Sequence, residues 1–247
     1  MLEETDQASK ASTLAVQAFD RLRADIISAK LKPGEKMLVE HLREAYGVGA
    51  TPLREALSKL TSLELVTAEG QRGFRVAPVS VENLLDITKT RAWVEGAALR
   101  AAIDRGDRAW EAEIIAAAHR LRGCPKQDGE KLSDPWYRGN REFHDALVGA
   151  CQSRQTMNFR AQLYDLSDRY RRLSVQHGLG GRDFDLEHQR IMEAALARDA
   201  NAAITFTAEH FIETTRVILA GEERGEDFVA RTISGLRRDV RSGLGLP

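Results

Sequence analysis

The sequence predicts a mainly α-helical chain in two parts, an N-terminal winged helix-turn-helix followed by an all-α antiparallel helical bundle. Three observations carry that prediction. A glycine-bearing turn, Gly47-Val48-Gly49, joins two short amphipathic segments. Two brief extended runs, Val66-Thr67-Ala68-Glu69 and Phe74-Arg75-Val76-Ala77, flank a turn holding Gly70 and Gly73. Beyond Pro78 the long segments repeat apolar residues at helical spacing, with no strand-like alternation.

In chain order, the first expected helix covers 14–29, with Val16, Phe19, Leu22, Ile26 and Ile27 on one face and Pro33-Gly34 as its stop. A second short helix covers Leu38 to Ala45 and is ended by Gly47, which adopts φ > 0 without a Cβ penalty. Thr51 is read as the N-cap of the third and Pro52 as its first residue, where no N–H is needed. Leu53, Ala56, Leu57 and Leu60 form the apolar stripe of that helix and leave Arg54 and Lys59 off it. Such a pair is either a generic helical hairpin or a helix-turn-helix, whose second helix enters the DNA major groove. The hairpin that follows favours the second reading and puts Arg72 at the tip of a wing.

Six helices are expected after Pro78: 81–105, 107–122, 134 to about 151, 154–175, 185–198 and 199–220. Asp134-Pro135 reads as N-cap and first residue of the third of these, and 126–134 as a polar loop. The fourth has Phe159, Leu163, Leu166, Tyr170 and Leu173 as its stripe, with Gly178 to Gly181 ending it. The organisation expected is a flexible tail over 1–13, a DNA-binding domain over 14–78, a helical effector domain over 79–220 and an extension over 221–247. The extension is expected to be polar, with one short helix near 228–240.

Composition narrows the class. A chain of 247 residues, 43% hydrophobic and 30% charged, has material for two ordinary cores. Its net charge of -1 means that any DNA contact rests on local placement of Arg and Lys. Cys124 and Cys151 have no metal or redox spacing, which suits a reducing cytosol. No run approaches the roughly 20 apolar residues of a membrane span, and the start lacks a signal-peptide core. A cytoplasmic protein with no membrane partner is expected.

Three of the six histidines stand on inward faces of the bundle helices. Asn140 and His144 are one helical turn apart, on a face continued by Leu147 and Cys151. His188 shares a face with Ile191 and Ala195, and His210 with Phe206 and Val217. They are either hydrogen-bonded core histidines or ligands converging on one cation, for which imidazole suits zinc, nickel or iron. Arg91 interrupts the stripe Leu84, Ile87, Val94, Ala98, where a guanidinium is costly to bury without an anion. It pairs either with Glu95, four residues on, or with the carboxylate of a ligand. Tyr170 is a core residue or adds a hydroxyl to that ligand.

Pro33-Gly34-Glu35-Lys36-Met37-Leu38, Tyr46-Gly47-Val48, Thr51-Pro52-Leu53-Arg54-Glu55-Ala56-Leu57 and Gly73-Phe74-Arg75-Val76 recur in the order of a GntR-type winged-helix domain, which residues 14–78 resemble. Ala50 stands where many members have arginine, so that contact is not carried over. The resemblance assigns groove contacts to Thr51 and Arg54, and a wing contact to Arg72 and Gly73. Arg91-x-x-x-Glu95, Asn140-x-x-Phe143-His144, His188-x-x-Ile191 and His210 resemble the FCD domain of the FadR branch. Leu163-Tyr164-Asp165-Leu166 and Arg169-Tyr170-Arg171 are similar to members of the carbon-starvation regulator type.

Many members of the branch bind a divalent metal through an Asp or Asn and three His. The resemblance therefore implies a zinc or nickel ion on Asn140, His144, His188 and His210, with Arg91 and Tyr170 toward a small carboxylate effector, a dicarboxylate among the candidates. It further implies a homodimeric repressor on a near-palindromic double-stranded operator. The competing function is a metal-dependent enzyme on the bundle. Di-iron bundles need Glu three residues before His, and positions 141, 185 and 207 hold Arg, Asp and Thr. Glu142, Glu187 and Glu209 adjoin the histidines in sequence and so are expected on other faces.

Overall fold

The computed structural model describes residues 2–70, 73–128, 131–174, 182–221 and 224–246. It divides into two compact units, Met1–Ser80 and Val81–Pro247.

In the first unit, α1 (Leu2–Ile27) starts at Leu2, so most of the segment expected to fray is helical. Ala18, Leu22 and Ile26 are fully buried on it and pack toward α3. β1 (Lys36–Met37) leads into α2 (Val39–Tyr46), which ends at Gly47 with φ of 65°. The Gly47 N–H donates to the Arg43 carbonyl at 3.0 Å, closing the last turn. No atom lies within 4 Å of a Cβ built at Gly47, so only the backbone resists a side chain there. Gly47→Ala is expected to cost about 1 kcal/mol, read as a lower denaturation midpoint at unchanged m-value.

α3 (Ala50–Ser62) buries Leu53, Ala56, Leu57 and Leu60. Its N-cap is Gly49, at φ of -64°, and not Thr51. Thr51 and Pro52 become the second and third helical residues. Proline is tolerated there because first-turn N–H groups have no intrahelical acceptor. β2 (Val66–Ala68) and β3 (Phe74–Val76) form the expected hairpin. β1 adds to it in the order β1-β3-β2, with Lys36 opposite Arg75. A two-residue strand is too short to leave a periodic signal. Arg75 locks this sheet by donating to the Gly34 carbonyl at 2.5 Å and to Glu69 at 2.8 Å.

The second unit contains seven helices among the described residues, the six expected after Pro78 and the one expected in the C-terminal extension. They are α4 (Val81–Arg105), α5 (Arg108–Arg122), α6 (Asp134–Leu147), α7 (Arg154–Ser174), α8 (Phe184–Leu196), α9 (Ala200–Gly221) and α10 (Glu226–Leu244). α4 packs on α7, α9 and α10, while α5 packs on α6 and α8. A short hairpin, β4 (Gln127–Asp128) with β5 (Lys131–Leu132), occupies the stretch expected as loop. Ser133, not Asp134, caps α6: its hydroxyl accepts from the Trp136 N–H at 3.1 Å. α6 stops at Leu147, short of Cys151. Gly178 to Gly181, expected to end α7, lie outside the described residues.

Two further assignments of the sequence reading need correction. Phe159, placed on the buried stripe of α7, is 61% exposed, and Arg160 beside it is buried instead. The C-terminal stretch is not a short helix in a polar extension but 19 residues long, burying Val229, Ile233, Leu236 and Val240. Gly243 lets α10 press against α4, since a Cβ there would come 2.1 Å from the Trp93 indole nitrogen.

Candidate metal centre and DNA-binding face

On the first unit, burying Leu53, Ala56, Leu57 and Leu60 turns the opposite side of α3 outward. Thr51, Arg54, Glu55, Ser58 and Lys59 are exposed there. Gly73 has φ of 96° and its carbonyl accepts from the Glu69 N–H at 2.8 Å, shaping the wing turn. Arg72 lies outside the described residues.

In the second unit, α6, α8 and α9 bring His144, His188 and His210 together in the interior. Their relative exposures are 0%, 4% and 4%. Ring centroids lie 5.6 Å apart for His144–His188, 5.3 Å for His144–His210 and 4.9 Å for His188–His210. One nitrogen from each falls within 4.8 Å of the others. Burial, reinforced by the neighbouring imidazoles, pushes His144 and His210 well below the ordinary histidine range. Burial likewise takes His188 down to about 3. All three are therefore neutral near pH 7, the form that offers a lone pair to a metal.

The donor set fits a cation on a second count. Both ring nitrogens of His144, both of His188 and the Asn140 Oδ1 are buried without a hydrogen-bond partner. Each such orphan costs about 1–3 kcal/mol, so a packing role alone leaves the cluster unsatisfied. Asn140, fully buried, donates through Nδ2 to the Tyr164 hydroxyl at 2.9 Å, which leaves its oxygen as the remaining donor atom. His210 differs from the other two. Its Nδ1 lies 2.6 Å from Glu187 Oε2.

Arg91 is buried on α4 at 3% exposure and makes no hydrogen bond to Glu95, which favours its charge from farther off. Glu95 is held by Arg160 of α7, with Nε to Oε2 at 2.8 Å. Arg91 gives one N–H to Ser167 Oγ at 2.9 Å and lies over the Phe211 ring at 3.8 Å. Its Nε and Nη2 have no partner. Burial brings its pKa down to about 10, still charged at neutral pH. Tyr170 is committed elsewhere: its hydroxyl donates to Asn83 Oδ1 at 2.8 Å. The aromatic residue beside the candidate ligands is Tyr164, which sequence reading left without a role. Arg91 and Arg171 lie 4.8 and 5.4 Å from its ring. Tyr164 entered the sequence reading through the Leu163-Tyr164-Asp165-Leu166 resemblance alone, with no role, because it lies outside the stripe assumed for α7.

Comparison with known proteins agrees with both halves. Residues 14–76 match the family model of bacterial regulatory proteins, gntR family, and residues 86–213 match the FCD domain. The chain belongs to the GntR family. It is 37% identical over 83% of its length to the HTH-type transcriptional repressor GlaR of Escherichia coli K12, spanning 95% of that protein. It is equally identical, again over 83% of its length, to the uncharacterized HTH-type transcriptional regulator BphR of Paraburkholderia xenovorans, spanning 85% of it. Among solved structures, E. coli McbR/YncC superposes with a TM-score of 0.71 at 20% identity, over 85% of this chain and 99% of that one, a likeness of fold. Membership of this family makes the chain a DNA-binding transcriptional regulator and its helical unit an FCD domain. Among the described residues, no helix is long and apolar enough to cross a membrane.

Proposed function

We propose that the protein is a homodimeric transcriptional repressor whose FCD domain holds a divalent metal, zinc or nickel, and senses a small carboxylate. His144, His188, His210 and Asn140 hold the ion, which supplies positive charge for one carboxylate. Arg91 supplies the second grip through its Nε and Nη2, a fork that carboxylates fill in bidentate fashion. The observation that carries the reading is this pairing of orphaned imidazole nitrogens with a buried, half-unpartnered guanidinium in one helical unit. Arg171, also buried near Tyr164, is already paired with Asp168 at 2.8 Å, which leaves the grip on a carboxylate to Arg91. Relief of repression follows from differential affinity of the effector for the DNA-bound and released arrangements of the dimer.

Thr51 and Arg54 read the major groove, and Arg72 with Gly73 meets the backbone or minor groove through the wing. The test is selection of duplexes from a random pool by the full chain, followed by anisotropy titration of the enriched sequence. A near-palindromic site is expected, bound less tightly when zinc and a panel of dicarboxylates are added. No enrichment over the starting pool sinks the proposal. In the same assay Arg54→Ala is expected to cost about 1–3 kcal/mol if it meets a base. An unchanged affinity and salt slope would remove Arg54 from the interface.

A further inference from the structure

Glu187 precedes His188 by one residue, so the two side chains leave α8 in different directions. That direction carries the Glu187 carboxylate to α9, where Oε2 meets His210 Nδ1 at 2.6 Å. The carboxylate is itself held. Arg182, with a side chain 4% exposed, donates through Nε to Glu187 Oε1 at 2.9 Å and through Nη2 to Oε2. The same guanidinium donates from Nη1 to Thr214 Oγ1 at 2.8 Å and from Nη2 to the His210 carbonyl at 3.2 Å; Nη2 also stands 3.3 Å from His210 Nδ1, farther from that nitrogen than the carboxylate is. Thr214 closes the ring of contacts by donating to that carbonyl at 2.9 Å. Glu187 on α8, Arg182 just ahead of it and Thr214 on α9 thus form one linked set of contacts around His210, in which the carboxylate meets the imidazole itself. Neither ring nitrogen of His144 or His188 has any such partner.

We propose that Glu187, clamped by Arg182, is the positioning residue that makes His210 the preset ligand of the metal centre. The inference rests on the metal reading given above. A carboxylate accepting from Nδ1–H keeps the proton on that nitrogen and leaves the lone pair on Nε2. A carboxylate behind the ring also raises the basicity of the nitrogen that faces the metal. Arg182 fixes where the carboxylate stands and balances its charge. His210 is therefore oriented before any ion arrives, whereas His144 and His188 take up their partner from the ion itself.

The experiment is competition titration of zinc against a chromophoric chelator on the full chain, comparing wild type, Glu187→Ala, Glu187→Gln and His144→Ala. Glu187→Ala is expected to weaken zinc by about 10–100-fold. Glu187→Gln keeps an acceptor oxygen without the charge and should fall between it and wild type. Nitrogen-15 NMR of the metal-free protein, with histidine labelled, supplies an independent readout. The His210 ring should be an Nδ1–H tautomer in wild type and lose that preference in Glu187→Ala. Wild-type zinc affinity in Glu187→Ala, alongside loss in His144→Ala, overturns the positioning role and leaves the metal site standing. An Nε2–H tautomer for His210 in wild type overturns it equally. No zinc binding by wild type itself instead removes the metal reading on which the role depends.

Discussion

Replacing His144 with alanine is expected to strip the protein of its metal. His144 is one of three imidazoles whose nitrogens meet within 4.8 Å, and it is fully buried with no hydrogen-bond partner on either nitrogen. Loss of a ligand should exceed the roughly 10–100-fold penalty that follows loss of a group behind a ligand. Elemental analysis of protein purified without chelator checks this directly. A second signature lies in stability. Zinc held at about 100 times its Kd stabilises a native site by about 2.7 kcal/mol, so wild-type Tm rises with added metal and the variant's does not. Stoichiometric metal in His144→Ala would return the histidines to a packing role.

Arg91→Met is expected to split two quantities that usually move together. The guanidinium is buried, its Nε and Nη2 lack partners, and Glu95 is engaged by Arg160 instead. Replacing such a charge with an apolar chain of similar reach removes a desolvation cost, so the effector-free protein should be as stable as wild type or more so. Carboxylate binding should move the other way. Cutting one member of a buried charge pair costs about 2–5 kcal/mol, or about 30- to several-thousand-fold in Kd. Thermal shift with and without a dicarboxylate panel reads both signs. A variant that is destabilised on its own yet keeps its ligand response would show Arg91 to be structural.

The exposed and buried sides of α3 were legible in the sequence because a helix repeats every 3.6 residues, so Leu53, Ala56, Leu57 and Leu60 necessarily leave Arg54 on the other side. Gly47 was legible for a local reason too, since its left-handed conformation requires no distant partner. His144 and His188 followed from the same periodicity, whereas His210 is buried although Phe206, placed on its face, is exposed. The α7 stripe held at Leu166 and Tyr170, which are buried, and failed at Phe159, which is exposed. A pattern that equates charge with solvent also missed Arg160, Asp165, Asp168 and Arg171, which are buried on the same helix. α10 was cut short for the same reason, because its arginine-rich outer face hid the apolar ladder of Val229, Ile233, Leu236 and Val240.

Sequence by itself determined where the helices of both units lie and which side of α3, α6 and α8 turns inward, because both are local consequences of backbone geometry. Only the tertiary structure decided who meets whom across helices. It gave Glu95 to Arg160 rather than to Arg91, Tyr170 to Asn83, and Tyr164 to Asn140. It also set Glu187 behind His210, in place of the neighbour it touches in the chain. Pairings of that kind depend on how helices far apart in sequence are rotated and spaced, and no periodicity within one helix carries that information.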